Sequence, residues 1–219
     1  MPIITIRGQL GSGAPEIGKL IAEKLHIDYV DRDIIAKVAR LLKMHRLDVI
    51  AKEMPPSTLS GRIRKALGRG SAIRGGYAIG SGYEGVYLPT WKISLEDTQY
   101  LTGLKSVINE LAESNSIVIV GRGSQFILKD HIKALHVLII APLKKRIQLI
   151  MDEMKIGEKA AKEQIKRVDG SRLEFTRKYF KAELEDPLNY DLVINTEHLT
   201  FEDVTLVIVD ALRSKERTN

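Results

Sequence analysis

Cysteine is absent from all 219 residues of the chain, so disulfides, zinc–thiolate sites and thiol catalysis are excluded. Aromatic residues make up only 5%, and the core must therefore rest on Ile, Leu, Val and Ala. No apolar run approaches the roughly 20 residues of a membrane-spanning helix, and the first residues read as a strand rather than a signal peptide. The five histidines lack paired metal-ligand spacing. We therefore expect a reducing, cytoplasmic compartment and no membrane partner.

The charge and the length of the chain limit the ligand class and the number of domains. The formal net charge is +6 with a pI near 9.4, which suits an anionic ligand, either a nucleotide or a nucleic acid. The length is sufficient for one α/β domain with a small insertion, and we expect residues 1–219 to form a single domain. Oligomeric state cannot be read from the sequence, so a homo-oligomer stays open.

Short β-branched runs alternate with stretches of helical periodicity along the chain. Most of these runs are apolar at every position, as expected for strands that are covered on both faces of a parallel sheet. Repeated strand–helix–strand units predict a doubly wound α/β fold of about five strands. The predicted strands are Ile3–Ile6, Ile27–Val30, Ile117–Val120, Leu135–Ile140 and Leu192–Ile194.

A segment from about residue 43 to 98 interrupts this alternation. Its centre, Gly68 to Gly85, is dense in glycine and has no apolar periodicity, and a run of basic residues extends from Arg62 to Arg74. We expect the glycine-rich stretch to be poorly ordered without a ligand. A solvated flexible insertion is slightly favoured over the alternative, a basic flap that closes over phosphate.

The first strand runs into a glycine-rich turn and then into a helix. Glycines allow the backbone to approach a phosphate closely, and a helix N-terminus supplies free N–H groups and a positive dipole end. An ordinary βα turn is the alternative, but three glycines in register after a buried strand favour a phosphate site. The residues expected to bind the phosphates are Gly8, Gly11, Ser12, Gly13, Ala14, Glu16 and Ile17.

The register of this turn decides which side chains face the phosphates. A literal Walker A match begins at Gly13 and ends on Lys19, but Leu20 then replaces the Ser or Thr that binds magnesium. The turn that directly follows the strand is Gly8 to Gly13, which puts Ala14 at the lysine position. The glycine turn therefore lacks the lysine that normally reaches the β- and γ-phosphates.

The order and spacing of six motifs carry a family resemblance. They are Gln9–Ile17, Tyr29–Ile35, Val120–Ser124, Ala141–Arg146, Ile165–Arg172 and Tyr190–Thr196. The chain resembles the cytidylate kinase-like family, a branch of the nucleoside monophosphate kinases with a P-loop fold. The resemblance covers both ends of the chain and fails at about residues 43–98. It implies ATP and magnesium on the glycine turn and a nucleotide as acceptor.

The resemblance also implies roles for polar residues elsewhere. The acceptor would face Asp31, Arg32, Asp33 and Lys37, although the residues alone are equally compatible with a helix N-cap and a solvated arginine. Magnesium prefers oxygen ligands, which Glu16 or Asp31 could supply directly or through water.

Arg122 lies between two glycines after a buried strand, a position that favours a clamp on the acceptor phosphate over a solvated turn residue. The resemblance implies a lid at about 155–180 that contains Arg167, Asp169 and Arg172, and its arginines would neutralise charge on the transferring group. The alternative is a solvated helix face with i,i+3 pairs. We expect the two lid arginines to replace the missing lysine, because the direction of Arg7 depends on the strand pleat.

The sequence as a whole predicts a nucleoside monophosphate kinase-like phosphotransferase that transfers the ATP γ-phosphoryl group to a nucleotide. The acceptor base is left open. A nucleotide-binding sensor without turnover is the first alternative, supported by Ala14. A nucleic-acid-binding module that uses Arg62 to Arg74 is less favoured.

Overall fold

The computed structural model describes residues 1–31, 33–42, 97–114 and 116–218. Arg32 lies outside these residues, as do the glycine-rich stretch from Gly68 to Gly85 and the basic run from Arg62 to Arg74. The elements in chain order are β1 (Ile3–Gly8), α1 (Ala14–Leu25), β2 (Asp28–Val30), α2 (Asp33–Leu41), α3 (Asp97–Ser114), β3 (Ile117–Val120), α4 (Ser124–Ile127), β4 (Ala134–Ile140), α5 (Leu143–Met154), α6 (Glu158–Phe180), a 3₁₀ turn (Pro187–Asn189), β5 (Leu192–Asn195) and α7 (Phe201–Thr218).

The described strands form one parallel sheet in the order β2-β3-β1-β4-β5. Ile3 of β1 is in register with Ile117 of β3 on one side and with Ala134 of β4 on the other. The predicted doubly wound α/β fold is therefore confirmed. Because β1 lies where the strand order reverses, the turn after β1 opens into the crevice in which such sheets bind ligands.

The two faces of the sheet carry separate apolar cores. Ile4 and Ile6 of β1 point to the face covered by α1 and α7, where they pack with Ile17 and Ile208. Ile3 points to the opposite face, which is covered by α2 and α3 and by the C-terminal part of α6. Since side chains alternate along a strand, Thr5 and Arg7 belong to the same face as Ile3.

A third, smaller core holds the glycine turn against two helices. Leu10 from the turn is buried with Ile147 and Ile150 of α5 and with Ala161 and Ile165 of α6. The apolar stripe of α6 thus fixes this long helix beside the turn. Its polar residues are brought to the carboxyl edge of the sheet as a consequence.

The last helix begins with a capping box. The Thr200 hydroxyl accepts a hydrogen bond from the Asp203 amide at 3.1 Å, and the Asp203 carboxylate accepts one from the Thr200 amide at 3.3 Å. This reciprocal pair satisfies two backbone donors that the helix itself cannot use.

Among the described residues, no helix combines the length and apolar character needed to cross a membrane.

Candidate phosphate-binding site

The turn between β1 and α1 presents unused backbone donors. Gly11 and Gly13 adopt left-handed conformations with φ of 80° and 86°, and Gly13 lies directly before the first residue of α1. No hydrogen bond within the described part of the chain uses the amides of Gly11, Gly13, Ala14 or Glu16. The buried Ser12 hydroxyl likewise has no partner among the described residues. The turn therefore has the donors that a phosphate group requires.

Two glycines of the turn are also required by packing. A Cβ on Gly13 would lie 2.3 Å from Cε1 of Phe201, and one on Gly11 would lie 2.6 Å from the carbonyl oxygen of Arg146. Substitution of either glycine would therefore disturb the fold before any phosphate contact. Loss of nucleotide binding in such a variant would not locate the site.

The lysine position is filled by a small buried side chain. Ala14 is only 3% exposed, and a Cβ on Gly8 would lie 2.2 Å from the Ala14 Cβ. Glycine at position 8 is thus needed for the strand to pass the start of α1. The first turn of α1 supplies an acidic residue, Glu16, and no cation.

Helix α6 is tied to the turn by a carboxylate. Asp169 Oδ1 accepts a hydrogen bond from the Leu10 amide at 3.0 Å, and Asp169 Oδ2 lies 2.6 Å from Nη1 of Arg146 on α5. Arg146 Nη1 also donates to the Leu10 carbonyl at 3.3 Å. Both side chains are largely buried. Sequence reasoning included Asp169 but missed Arg146, although Arg146 ends one of the motifs that carry the resemblance.

The predicted lid arginines lie in different environments. Arg172 Nη1 donates to the Gly8 carbonyl at 3.0 Å and lies 3.7 Å from Asp169 Oδ1, so it reaches the turn. Arg167 donates to the Gln164 side chain on its own helix. The structure therefore brings Asp169 and Arg172 to the glycine turn, whereas the hydrogen bond described for Arg167 lies within α6. The catalytic roles of all three remain predictions.

Arg122 lies at the carboxyl end of β3, next to β1. Its φ is 61°, and both flanking glycines are also left-handed. The Gly121 amide donates to the Ile6 carbonyl at 2.9 Å, which fixes this turn to the central strand. A Cβ on Gly123 would lie 2.3 Å from Phe180, so the end of α6 packs closely against the turn. Arg122 is thus held at the sheet edge where the prediction puts it.

The expected acceptor residues lie farther along the same edge. Asp31 is half-buried after β2, the edge strand, and Lys37 is exposed on α2, which begins at Asp33. No described contact joins Asp31 to Glu16. The two expected magnesium ligands are therefore not brought together by a direct contact.

The Glu16 carboxylate has an oxygen of the kind that magnesium prefers. Its Oε2 atom is buried and has no hydrogen-bond partner among the described residues. Burial, and then the Glu16 carboxylate, raise the pKa of Glu153 on α5, which shows that two acidic groups lie close together. The described residues contain no cluster of three or more metal-ligating side chains. Magnesium is commonly held by one or two carboxylates together with substrate phosphates, so a single glutamate is sufficient.

The remaining motifs converge on the same turn. The Gln9 side chain accepts from the Ala141 amide at 3.3 Å and donates to Glu185 at 3.1 Å. The Thr196 hydroxyl donates to the Ser12 carbonyl at 3.2 Å, and Lys145 donates to the Thr196 carbonyl. Segments far apart in sequence therefore share one function, which is to support the turn.

Comparisons with known proteins agree with this architecture. An uncharacterized protein from Eubacterium ventriosum has a solved structure with a TM-score of 0.68 over 98% of this chain and 99% of that chain. The two sequences are 19% identical, so this likeness shows the fold alone. A shikimate kinase from Acinetobacter baumannii covers 98% of this chain and 94% of its own, at 16% identity and a TM-score of 0.46, too low to support an argument.

A match by sequence covers less of the chain. A stretch of 104 residues is 34% identical to a uronate isomerase from Corynebacterium glutamicum; it makes up 48% of this chain and 20% of that protein. The chain thus spans about a fifth of the length of this curated relative. The family comparison is far broader, because residues 3–198 match the model of the cytidylate kinase-like family. The chain belongs to the cytidylate kinase-like family.

Proposed function

We propose that the chain is an ATP-dependent kinase that transfers the γ-phosphoryl group to a nucleotide. The observation that carries the proposal is the turn from Gly8 to Ile17, in which the amides of Gly11, Gly13, Ala14 and Glu16 have no acceptor among the described residues. Gly11 and Gly13 hold left-handed conformations there, and the free N–H groups lie at the positive end of the α1 dipole, where an anion binds favourably. Family membership and the sheet topology support the same reaction class.

The ATP phosphates would lie on this turn, against the amides of Gly11, Gly13 and Ala14 and the Ser12 hydroxyl. Glu16 would hold magnesium with its buried Oε2, directly or through water. When bound, magnesium neutralises charge on the phosphate oxygens. The chain itself contributes the positioning of the phosphates through fixed backbone dipoles.

The acceptor would lie on the α2 side of the crevice, between Asp31 to Lys37 and Arg122. A phosphate acceptor oxygen is already anionic, so the chain has no need for a strong general base. Catalysis would come from alignment and from cationic donors. Arg122 would clamp the acceptor phosphate, and Arg172, already at the turn, would stabilise the transferring group together with Arg167.

A nucleotide sensor without turnover is the second candidate, and one observation favours it. Ala14 fills the space above Gly8, so the lysine position offers no cation to the β- and γ-phosphates. Binding would survive on backbone donors, whereas transfer would depend wholly on arginines from other elements.

A phosphorylation screen separates the two candidates. The full chain is incubated with ATP, magnesium and each ribo- and deoxyribonucleoside monophosphate, and ADP release and phosphorylated product are both measured. ATP affinity is determined in parallel by calorimetry. A kinase gives acceptor-dependent ADP release with matching product. ATP binding without transfer to any acceptor supports the sensor, and absence of ATP binding refutes both candidates.

A further inference from the structure

Arg7 occupies the end of the central strand and faces away from the helix that follows the glycine turn. It shares its face of β1 with Ile3 and Thr5, whereas α1 covers Ile4 and Ile6 on the other face. The Arg7 side therefore lies with α2 and α3 and with α6. The strand pleat thus settles its direction, which the sequence left open.

The Arg7 guanidinium is buried without a hydrogen-bond partner. The residue is 5% exposed, and its Nε and Nη2 atoms are buried with no acceptor in the part of the chain that the structure describes. Burial, and then the nearby Arg172 charge, lower the pKa of Arg7 to about 9. An isolated buried charge is strongly unfavourable, and an anionic partner would relieve that cost.

The polar groups near Arg7 are engaged elsewhere. Both carboxylate oxygens of Asp169 are occupied, by the Leu10 amide and by Arg146. Glu185 accepts from the Gln9 side chain. The Tyr190 hydroxyl donates to the Leu184 carbonyl at 2.5 Å, and burial raises the pKa of Tyr190 to about 12, so this group stays neutral. The described neighbours therefore partly offset the positive charge of Arg7, but none of them forms a hydrogen bond with its guanidinium.

We propose that Arg7 binds an oxyanion of the phosphoryl acceptor, either a phosphate or a carboxylate group. The inference rests on the proposed kinase function and names the acceptor as an anion held on the sheet face that α6 covers, beside Arg172. An arginine fork binds planar and tetrahedral oxyanions through paired hydrogen bonds, and Nε with Nη2 forms one edge of that fork. The second guanidinium, that of Arg172, adds attraction for the same charge.

The test replaces Arg7 with methionine, which keeps the length of the apolar stem and removes the charge. Arg213→Met on the exposed surface of α7 is the matched control, since Arg213 pairs only with Asp210 of its own helix among the described residues. Full-length proteins are titrated with inorganic phosphate, or with acetate as the carboxylate probe, in the presence of saturating ATP. Thermal stability and the Nε–H NMR signals of arginine are recorded at constant ionic strength.

We expect Arg7→Met to have a higher Tm than the wild type without anion, because a buried charge that has no hydrogen-bond partner among the described residues has been removed. We also expect its apparent Kd for the anion to rise by roughly tenfold or more, with ATP affinity unchanged. A response to phosphate alone identifies a phosphate acceptor, and a response to acetate as well identifies a carboxylate-tolerant site. Arg213→Met should match the wild type in each measurement.

Different failures point to different conclusions. An unchanged anion response in Arg7→Met with intact ATP binding overturns the inference and leaves the kinase proposal standing. A loss of ATP affinity in Arg7→Met also overturns it, because the residue would then bind the nucleotide. Absence of ATP binding in the wild type refutes the kinase proposal, while the anion response of the Arg7 signal is still measured. If Arg7→Met does not fold, Arg7→Lys assigns that signal in the wild type, and a signal unmoved by either anion overturns the inference.

Discussion

Replacement of Asp169 with asparagine tests whether the carboxylate on α6 holds the phosphate turn. Asparagine has the same shape and keeps an acceptor for the Leu10 amide, which now donates to Asp169 Oδ1 at 3.0 Å. It removes the charge that Arg146 meets at 2.6 Å. The change thus isolates the ionic part of the contact from the hydrogen bond to the backbone.

The expected loss of stability follows from the burial of the pair. The side chains of Asp169 and Arg146 are 15% and 11% exposed, so solvent screens them little. Removal of one partner from a buried ion pair costs about 3–5 kcal/mol, and the retained hydrogen bond puts our estimate at the lower end, about 3 kcal/mol. For a chain of this length that corresponds to a fall in Tm of roughly 10 °C.

Thermal unfolding monitored by circular dichroism, with ATP affinity measured in parallel, checks this prediction. Glu158→Gln is the control on the same helix, because the Glu158–Lys162 pair lies exposed at the surface and should contribute no measurable stability. Release of the turn from α6 should also weaken ATP binding in Asp169→Asn and not in the control. Equal Tm values for the two variants would refute the assignment of Asp169 as the anchor of the turn.

Three further predictions follow from other contacts. Arg172→Ala should lower turnover by roughly a hundredfold or more with little change in ATP affinity, because its contact strengthens in the transition state; intact turnover in steady-state assays would count against the lid. Burial lowers the pKa of His136 below 6.5, so the unfolded chain binds more protons and stability should fall as the pH drops below 6.5; a His136→Asn variant should lose this dependence in Tm measurements. Thr200→Ala should cost about 1 kcal/mol in denaturant unfolding through loss of the α7 cap, and a silent change would show that the cap frays.

The sheet could be predicted because local patterns determine it. Runs such as Ile117 to Val120 are apolar on both faces, and only a strand that is covered by helices on both sides buries them. The sequence predicts that β2 begins at Ile27, whereas in the structure it begins one residue later, at Asp28. His26 ends α1 in a left-handed conformation, and the Ile27 amide bonds to the Ala22 carbonyl at 3.0 Å, so that residue belongs to the helix end.

The supports of the site could not be predicted in the same way. Arg146 directly precedes Ile147, and helical periodicity marks only the second as a core position. The burial of Arg146 depends on Asp169, which lies on another helix, and on a carbonyl 136 residues away. Such pairings depend on how α5 and α6 cross the turn, which no local pattern encodes. The charged face of α6 was consequently compatible with either a solvated surface or a lid.

The missing lysine can be reconsidered from the positions of the arginines. Arg146 binds Asp169 and the Leu10 carbonyl, so its charge helps to hold α6 against the glycine turn. Arg7 lies on the sheet face opposite α1, near Asp169 and Arg172 of α6. Arg172 contacts the turn itself, at the Gly8 carbonyl. A kinase with Ala14 would therefore depend on α6 being docked, and the anchor at Asp169 would couple nucleotide binding to the position of Arg172.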